Sequence, residues 1–85
     1  MYEYEVLEEA RTQLRKLDRS IARRIVQKIK WLAENFDQIE PDALAHNLAD
    51  LYKLRIGNYR VIYEIVEEEQ LLVVLEVGHR RDIYD

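Results

Sequence analysis

The chain has 85 residues, a formal net charge of −4 and a hydrophobic fraction of 48%, with only two glycines and one proline. These values are typical of one small, ordered domain near the lower size limit for a self-sufficient core. Cysteine is absent, which excludes a disulfide framework and a thiolate metal site. His46 and His79 are too few and too far apart for a histidine metal site, so we expect no cofactor. Without a leader-like start or an apolar stretch long enough to span a bilayer, we expect a cytoplasmic protein.

The first half of the chain changes from a strand pattern to a helix pattern. Alternation of apolar residues and glutamates over residues 2–6 predicts a half-buried strand. From about Glu8 the apolar residues recur at helical spacing, which predicts a short helix and, after Asp18 as its cap, a second and longer one. We expect a tight joint near Leu17-Asp18, and we expect Trp31 and Phe36 to be core or loop-packing residues. The apolar stripes comprise Ala10, Leu14 and Leu17, then Ile21, Ile25, Ile29, Leu32 and Phe36.

The second half is predicted to be extended. Residues 37–50 should form a loop with a short helical turn around Asp42 to Ala45. Gly57-Asn58 is a two-residue hairpin signal between strands, and a last strand should run from Leu71 to Val77. Because strand side chains alternate, one face should meet the helices while the other carries charged and apolar groups together. The covered set is Leu54, Ile56, Tyr59, Val61, Tyr63, Leu71, Val73, Leu75 and Val77. The uncovered set is Lys53, Arg55, Arg60, Ile62, Glu64, Leu72 and Val74.

The element order predicts an α+β fold with two layers. It reads β-α-α-β-β-β, with the N-terminal strand and helical hairpin packed on one face of a mostly antiparallel four-stranded sheet. The absence of repeats, linkers and low-complexity segments predicts a single domain over residues 1–85.

Positive charge is concentrated in the helical part of the chain. Residues 11–30 carry eight basic side chains and one acid, a local charge of +7, whereas residues 31–50 carry five acids and no Lys or Arg. Such a segment attracts a polyanion even in an acidic protein, although a merely solvated helical face fits the composition equally well. If that polyanion is ribosomal RNA, the cations expected to hold its backbone without reading its sequence are Arg19, Arg23, Arg24, Lys28 and Lys30.

Two motifs stand out in the second half of the chain: the run Tyr52 to Tyr63, which ends Gly57-Asn58-Tyr59-Arg60-Val61-Ile62-Tyr63, and the run Val77-Gly78-His79-Arg80-Arg81-Asp82-Ile83-Tyr84. Both resemble bacterial toxins of the RelE/ParE superfamily, with the RelE branch the nearer. The resemblance implies the toxin of a type II toxin–antitoxin system, a ribosome-dependent mRNA endonuclease that cuts the codon in the decoding site. It also implies a RelB-like antitoxin that holds the toxin inactive and through which the complex binds operator DNA.

The resemblance further implies an active site on two stretches of chain. Cations there suit the neutralisation of charge on a scissile phosphate, as a metal-independent ribonuclease using the 2′-hydroxyl requires. The Tyr84 phenol either stacks on a base or takes the 2′ proton. The His79 imidazole is the natural acid or base near neutral pH. A lysine occurs in the family where His79 stands, which leaves the role of this residue open. The implied positions are Lys53, Arg55, Arg60, Arg80, Tyr84 and, with that reservation, His79.

Structural interpretations stand beside these roles. Lys53 and Arg55 fit ordinary solvent-face charges, Arg60 could pair with a strand glutamate, and Tyr84 could pack on the sheet edge. A ParE-like toxin that inhibits DNA gyrase by protein contact is the main functional alternative, and a binding module without activity is the third. The lysine–arginine cluster favours the nuclease, because a gyrase inhibitor does not need it.

Overall fold

The computed structural model describes residues 1–44 and 51–82. Strand β1 (Glu3–Val6) is followed by helix α1 (Glu8–Arg15), helix α2 (Arg19–Glu34), a 3₁₀ turn (Phe36–Gln38) and strand β2 (Asp42–Ala43). The second half contains strands β3 (Leu51–Ile56), β4 (Tyr59–Val66) and β5 (Leu71–His79), with a 3₁₀ turn at Glu67–Glu69. Within the two described ranges, no helix has the length and apolar character needed to cross a membrane.

The strands form one sheet in the order β1-β5-β4-β3-β2. β1 runs parallel to β5, and every other neighbouring pair is antiparallel. The two helices meet at a joint just before Asp18, as expected, and they pack on one face of the sheet. The predicted α+β class and two-layer arrangement are therefore confirmed. Asp18 lies at the start of α2, but its carboxylate accepts a hydrogen bond from the Ser20 hydroxyl at 2.5 Å instead of capping a backbone N–H.

The sheet has one strand more than the sequence predicted. Asp42 and Ala43, expected in a helical turn, are extended and pair with Lys53 and Tyr52. The prediction failed because a strand of two residues shows no periodic pattern in the sequence. The segment is extended because it forms hydrogen bonds with backbone groups along the edge of β3, which would otherwise lack partners. The pairing stops at Lys53, so the end of β3 that contains Arg55 lies beyond it.

A β-bulge in β5 changes which of its side chains face the helices. The register shifts between Ile62, opposite Glu76, and Tyr63, opposite Val74, so that Leu75 is the extra residue. Leu75 packs against Ile62 on the uncovered face, whereas Val74 joins the core under the helices. Strict alternation from Val77 therefore gives the wrong face for the residues before the bulge. The packing contradicts the covered face predicted for Leu75 and the uncovered face predicted for Leu72 and Val74. Leu71 and Val73 alternate with Leu72 and Val74, so the covered face predicted for them is wrong as well.

Helix α2 supplies most of the helical half of the core. Ile25 and Ile29 are at most 1% exposed and pack over β3, β4 and β5. Phe36 is buried, as expected. Trp31 is 43% exposed, so its placement in the core was wrong: it lies on a side of α2 that turns away from the Ile25–Ile29 stripe. The main cluster consists of Ala10, Ile25, Ile29, Ile56, Val61, Val74 and Val77.

Helix α1 completes the hydrogen bonding of β5 where β1 ends. β1 pairs with β5 only as far as Val74. Beyond that point the Val77 N–H donates a hydrogen bond to Gln13 Oε1 at 2.6 Å. A buried backbone N–H without an acceptor is costly, so this glutamine fixes the part of β5 that leads to Gly78 and His79.

Tyr63 gives the fold a dependence on alkaline pH. Its ring is 1% exposed, stacks on Tyr52 with centroids 5.8 Å apart, and meets Phe36 edge-on at 6.3 Å. Burial, assisted by Tyr52 and Asp42, raises the pKa of Tyr63 from 10.0 to about 12. The native state therefore holds this proton more tightly than the unfolded chain does. The stabilisation that comes from this buried, protonated phenol is fully present below pH 10 and is lost as the pH rises towards 12.

We expect the free energy of unfolding to fall by up to about 2–3 kcal/mol across this interval, in denaturant titrations at a series of pH values. The variant Tyr63→Phe, which has no proton to lose, should remove most of the fall. Tyr4→Phe is the matched control, because Tyr4 is 36% exposed. An unchanged pH slope in Tyr63→Phe would show that burial of this phenol is not the cause.

Candidate functional site

The β3–β4 hairpin places three cations on the uncovered face of the sheet. Its register sets Arg55 directly opposite Arg60, and Lys53 opposite Ile62. Cross-strand partners share a face, and Ile62 lies on the side away from the helices. Like charges directly opposite each other destabilise a sheet, so the Arg55–Arg60 pairing is not what strand stability alone would select.

Lys53 is the most enclosed of these cations. It is 8% exposed and is the only charged residue in the buried class among residues 1–44 and 51–82. Lys53 is paired with Asp42 of the neighbouring strand β2 in the register of the sheet. Arg60 is half-buried and Arg55 is exposed, so the exposure of the three side chains rises from Lys53 through Arg60 to Arg55. Burial of a charge has a free-energy cost that its surroundings must offset.

The second motif meets the hairpin through β5. Gly78 lies opposite Arg60, and the Arg80 N–H donates a hydrogen bond to the Asn58 carbonyl at 2.7 Å. The backbones of Arg60 and of Arg80 are thus held at the same end of the sheet, and the Arg80 side chain is exposed. Tyr84 lies outside the described residues.

His79 is not brought to the same face as Arg60. It lies opposite Tyr59, and the two rings meet edge-on with centroids 5.4 Å apart. Tyr59 packs against the core under the helices, whereas Arg60, the next residue, points the other way. The His79 Nδ1 atom accepts a hydrogen bond of 3.3 Å from the Arg81 N–H. The His79 ring therefore lies on the face of the sheet that the helices cover, at the end of β5.

The cations of α2 fall into two groups. Arg24 and Lys28 lie one turn apart on the side that faces the β3–β4 turn, and the remaining three point into solvent. Gly57, at φ +58°, allows a close approach: a Cβ built there would lie 3.1 Å from Arg24 Nη2. A cleft of about 480 Å³ separates α2 from the turn. Its lining is Arg24, Gln27, Lys28, Trp31, Arg55, Ile56 and Gly57.

Comparison with known proteins identifies the family. The model of the ParE toxin of type II toxin–antitoxin systems (parDE) matches residues 4–84. The chain belongs to this family of toxins. A RelE-like toxin protein of Escherichia coli is 30% identical over 88 residues, which cover 99% of this chain and 90% of that protein.

Solved structures support the RelE-like branch of the superfamily. The toxin–antitoxin complex RelBE2 from Mycobacterium tuberculosis contains a chain that matches this toxin with 30% identity and a TM-score of 0.81, covering 93% of this chain and 98% of the other. The isolated E. coli RelE toxin matches with 26% identity and a TM-score of 0.76, covering 93% and 84%.

Sequence reasoning missed two features of the toxin's site region. It did not assign Trp31 to a surface, and it did not connect Gly57 with α2. The spacing of Arg24, Lys28 and Trp31 by four and three residues puts them on one helix side and could have been recognised. The approach of Arg24 to Gly57 could not, because it depends on how α2 crosses the sheet. Within the described part of the toxin, no group of three or more metal-binding side chains comes together.

Proposed function

We propose that this toxin is an endoribonuclease that acts with the ribosome, cuts translated mRNA and thereby inhibits translation, as one domain over residues 1–85 in the cytoplasm. The observation that supports the proposal is the register of the β3–β4 hairpin, which aligns Arg55 with Arg60 on the face that also carries Lys53. An RNA phosphate that lies across this face would meet three cations at once. Guanidinium groups suit this task because they can grip a phosphate through two hydrogen bonds.

In the proposed reaction, the RNA 2′-hydroxyl attacks the adjacent phosphorus and the 5′ oxygen leaves, without a metal ion. Negative charge grows on the phosphoryl oxygens as the new bond forms. Lys53, Arg55 and Arg60 neutralise this charge from the sheet, and Arg80 does so from the segment after β5. By analogy with the loss of one oxyanion-hole donor, each such contact contributes roughly 3–4 kcal/mol to the transition state.

Proton transfer is assigned to other groups. A guanidinium stays protonated at working pH and is a poor proton donor. The proposal gives the 2′ proton to the phenolate form of Tyr84, or lets this ring stack on a base of the bent message while water takes the proton. The leaving 5′ oxygen takes its proton from water. His79 receives no step, because its ring contacts Tyr59 on the side of the sheet opposite Arg60. Orientation of the message by the ribosome supplies much of the remaining rate, which explains a preference for translated RNA.

The solvent-facing cations of α2 are proposed to hold ribosomal RNA. Arg19, Arg23 and Lys30 are all exposed. Replacing Arg23 and Lys30 with glutamate should weaken ribosome binding and lower the slope of log affinity against log salt by about 1.4–1.8, since each of the two lost phosphate contacts removes about 0.7–0.9. The measurement is ribosome binding at several salt concentrations.

A matched variant separates this role from a general effect of net charge. The double replacement Arg15→Glu and Lys16→Glu changes the net charge equally, at exposed positions at the end of α1. It should leave the salt slope near the wild-type value. If the α2 variant keeps the wild-type slope, or if both variants lose the same amount, the α2 face is only solvated.

A RelB-like antitoxin is the proposed protein partner. The similar chain from M. tuberculosis was solved within a toxin–antitoxin complex, which supports an antitoxin here. We propose that the antitoxin holds the toxin inactive and carries any contact of the complex with operator DNA.

Gyrase inhibition is the second candidate, since the family model that matches is that of the ParE toxin. Induction of the toxin in cells, followed by mapping of transcript 5′ ends and measurement of plasmid supercoiling, distinguishes the two. New 5′ ends confined to translated codons support the nuclease. Intact transcripts with arrested supercoiling would replace it with the gyrase inhibitor, and the absence of both effects would leave a binding module.

A further inference from the structure

The cleft between α2 and the β3–β4 turn has the composition of a nucleotide site. Arg24 and Lys28 enter it from the helix and Arg55 from the end of β3. None of the residues that line it, all within the described part of the chain, is acidic. Helix α2 itself contains no acid before Glu34. Within residues 1–44 and 51–82, neither Arg24 nor Lys28 has a carboxylate partner. The cleft therefore attracts an anion.

An exposed indole lies beside these cations. Trp31 is 43% exposed, and the Lys28 ammonium sits 4.1 Å from the centroid of its ring. The Lys28 ammonium covers one part of the Trp31 ring, and a second aromatic group can stack on the exposed part. Proteins that bind single-stranded RNA stack its bases on aromatic side chains beside a positively charged groove. An acidic peptide would pair with the cations but has no base to stack on the indole. The volume of about 480 Å³ lies in the range of small-ligand sites.

Arg55 connects the cleft with the proposed cleavage site. It lines the cleft, and it lies opposite Arg60 in the β3–β4 register. Gly57 keeps the passage narrow but open, because any Cβ at this position would crowd the Arg24 guanidinium. The pairing of β2 stops at Lys53, so an RNA strand that crosses Arg60 on the uncovered face can pass the edge of β3 at Arg55 to reach the cleft on the helix side.

We propose that this cleft binds one nucleotide of single-stranded RNA, with its base stacked on Trp31 and its phosphate held by Arg24. The inference rests on the proposed function in taking RNA as the ligand. It adds a second subsite, which holds the strand beside the point of cleavage and favours no base, since every base has a face to stack.

Trp31 is the only tryptophan of the chain, so its fluorescence reports on the cleft directly. The probe is a short oligoadenylate with 2′-O-methyl riboses, which binds like RNA but has no 2′-hydroxyl to attack. We expect it to quench the tryptophan emission, and an abasic oligomer of the same length and charge to bind without comparable quenching. Trp31→Leu has no tryptophan to follow, so its affinity is measured by the fluorescence anisotropy of a dye-labelled adenine oligomer, and it should be about five- to a hundredfold lower. Tyr4→Leu, at another exposed aromatic, should leave the affinity unchanged.

The outcomes separate this inference from the nuclease proposal, because the probe cannot be cut. Quenching and loss of affinity in Trp31→Leu support the subsite whether or not the toxin cleaves mRNA. Equal quenching by the abasic oligomer, or unchanged affinity in Trp31→Leu, overturns it even in an active nuclease. If an oligoglutamate of equal charge quenches the emission as strongly as the oligoadenylate, the cleft belongs to a protein partner and the inference falls.

Discussion

Replacing Arg60 with glutamine is expected to lower the rate of mRNA cleavage by about 10²- to 10³-fold. Arg60 lies between Arg55 on β3 and Gly78 on β5, at the point where the two motifs meet. Glutamine keeps hydrogen bonding but removes the charge and the fork geometry that a phosphate needs. The rate is measured with ribosomes stalled on a defined codon, as the appearance of the cut message.

The control for this prediction is Arg15→Gln. Arg15 lies at the end of α1, where it is exposed and pairs with Glu8 at 3.4 Å. Its removal should change the cleavage rate by less than about twofold, since an exposed ion pair contributes little to stability. Thermal unfolding of both variants should stay close to that of the wild type, because Arg60 is only half-buried. Full cleavage by Arg60→Gln would remove this residue from the mechanism.

Replacing Ile29 with alanine is expected to lower the free energy of unfolding by about 2–5 kcal/mol. Ile29 is 1% exposed and packs in the cluster that joins α2 to β3, β4 and β5. The lost methylene groups leave a cavity that the sheet below cannot fill, so the cost exceeds that of transfer alone. Denaturant unfolding monitored by circular dichroism gives the difference.

Val26→Ala is the matched control on the same helix. Val26 is 36% exposed, so its truncation should cost less than about 0.5–1 kcal/mol. A domain of this size has a total stability of about 5–15 kcal/mol, and Ile29→Ala should therefore lower the amount of folded toxin in cells. Equal destabilisation by the two variants would mean that α2 does not carry the core.

The two expected effects differ in kind. Arg60→Gln should abolish toxicity with the fold intact, whereas Ile29→Ala should reduce toxicity through the amount of folded protein. Measuring cleavage per folded molecule separates them. This separation is possible because the core lies on the covered face of the sheet and the cationic cluster on the other.

The two helices, the strands other than β2 and the cationic face of the hairpin could all be predicted from the sequence. The signal at Gly57-Asn58 and the alternation around it are local, and local alternation is enough to put Lys53, Arg55 and Arg60 on one side. The same alternation, continued from Val77, places His79 on the covered side with Tyr59. That consequence was available from the sequence, although the motif alone grouped His79 with the arginines.

The remaining features depend on how distant parts of the chain pack together. The pairing of Asp42 with Lys53 joins segments distant in the chain, and the bulge at Leu75 depends on the match between β4 and β5. Trp31 fits a buried position by composition, but the angle of α2 leaves it beside Arg24 and Gly57. Residue patterns report the conformation and the preferred face of a segment, because these depend on near neighbours. Which distant surfaces meet depends on the packing of the whole core, and that packing is what creates the cleft.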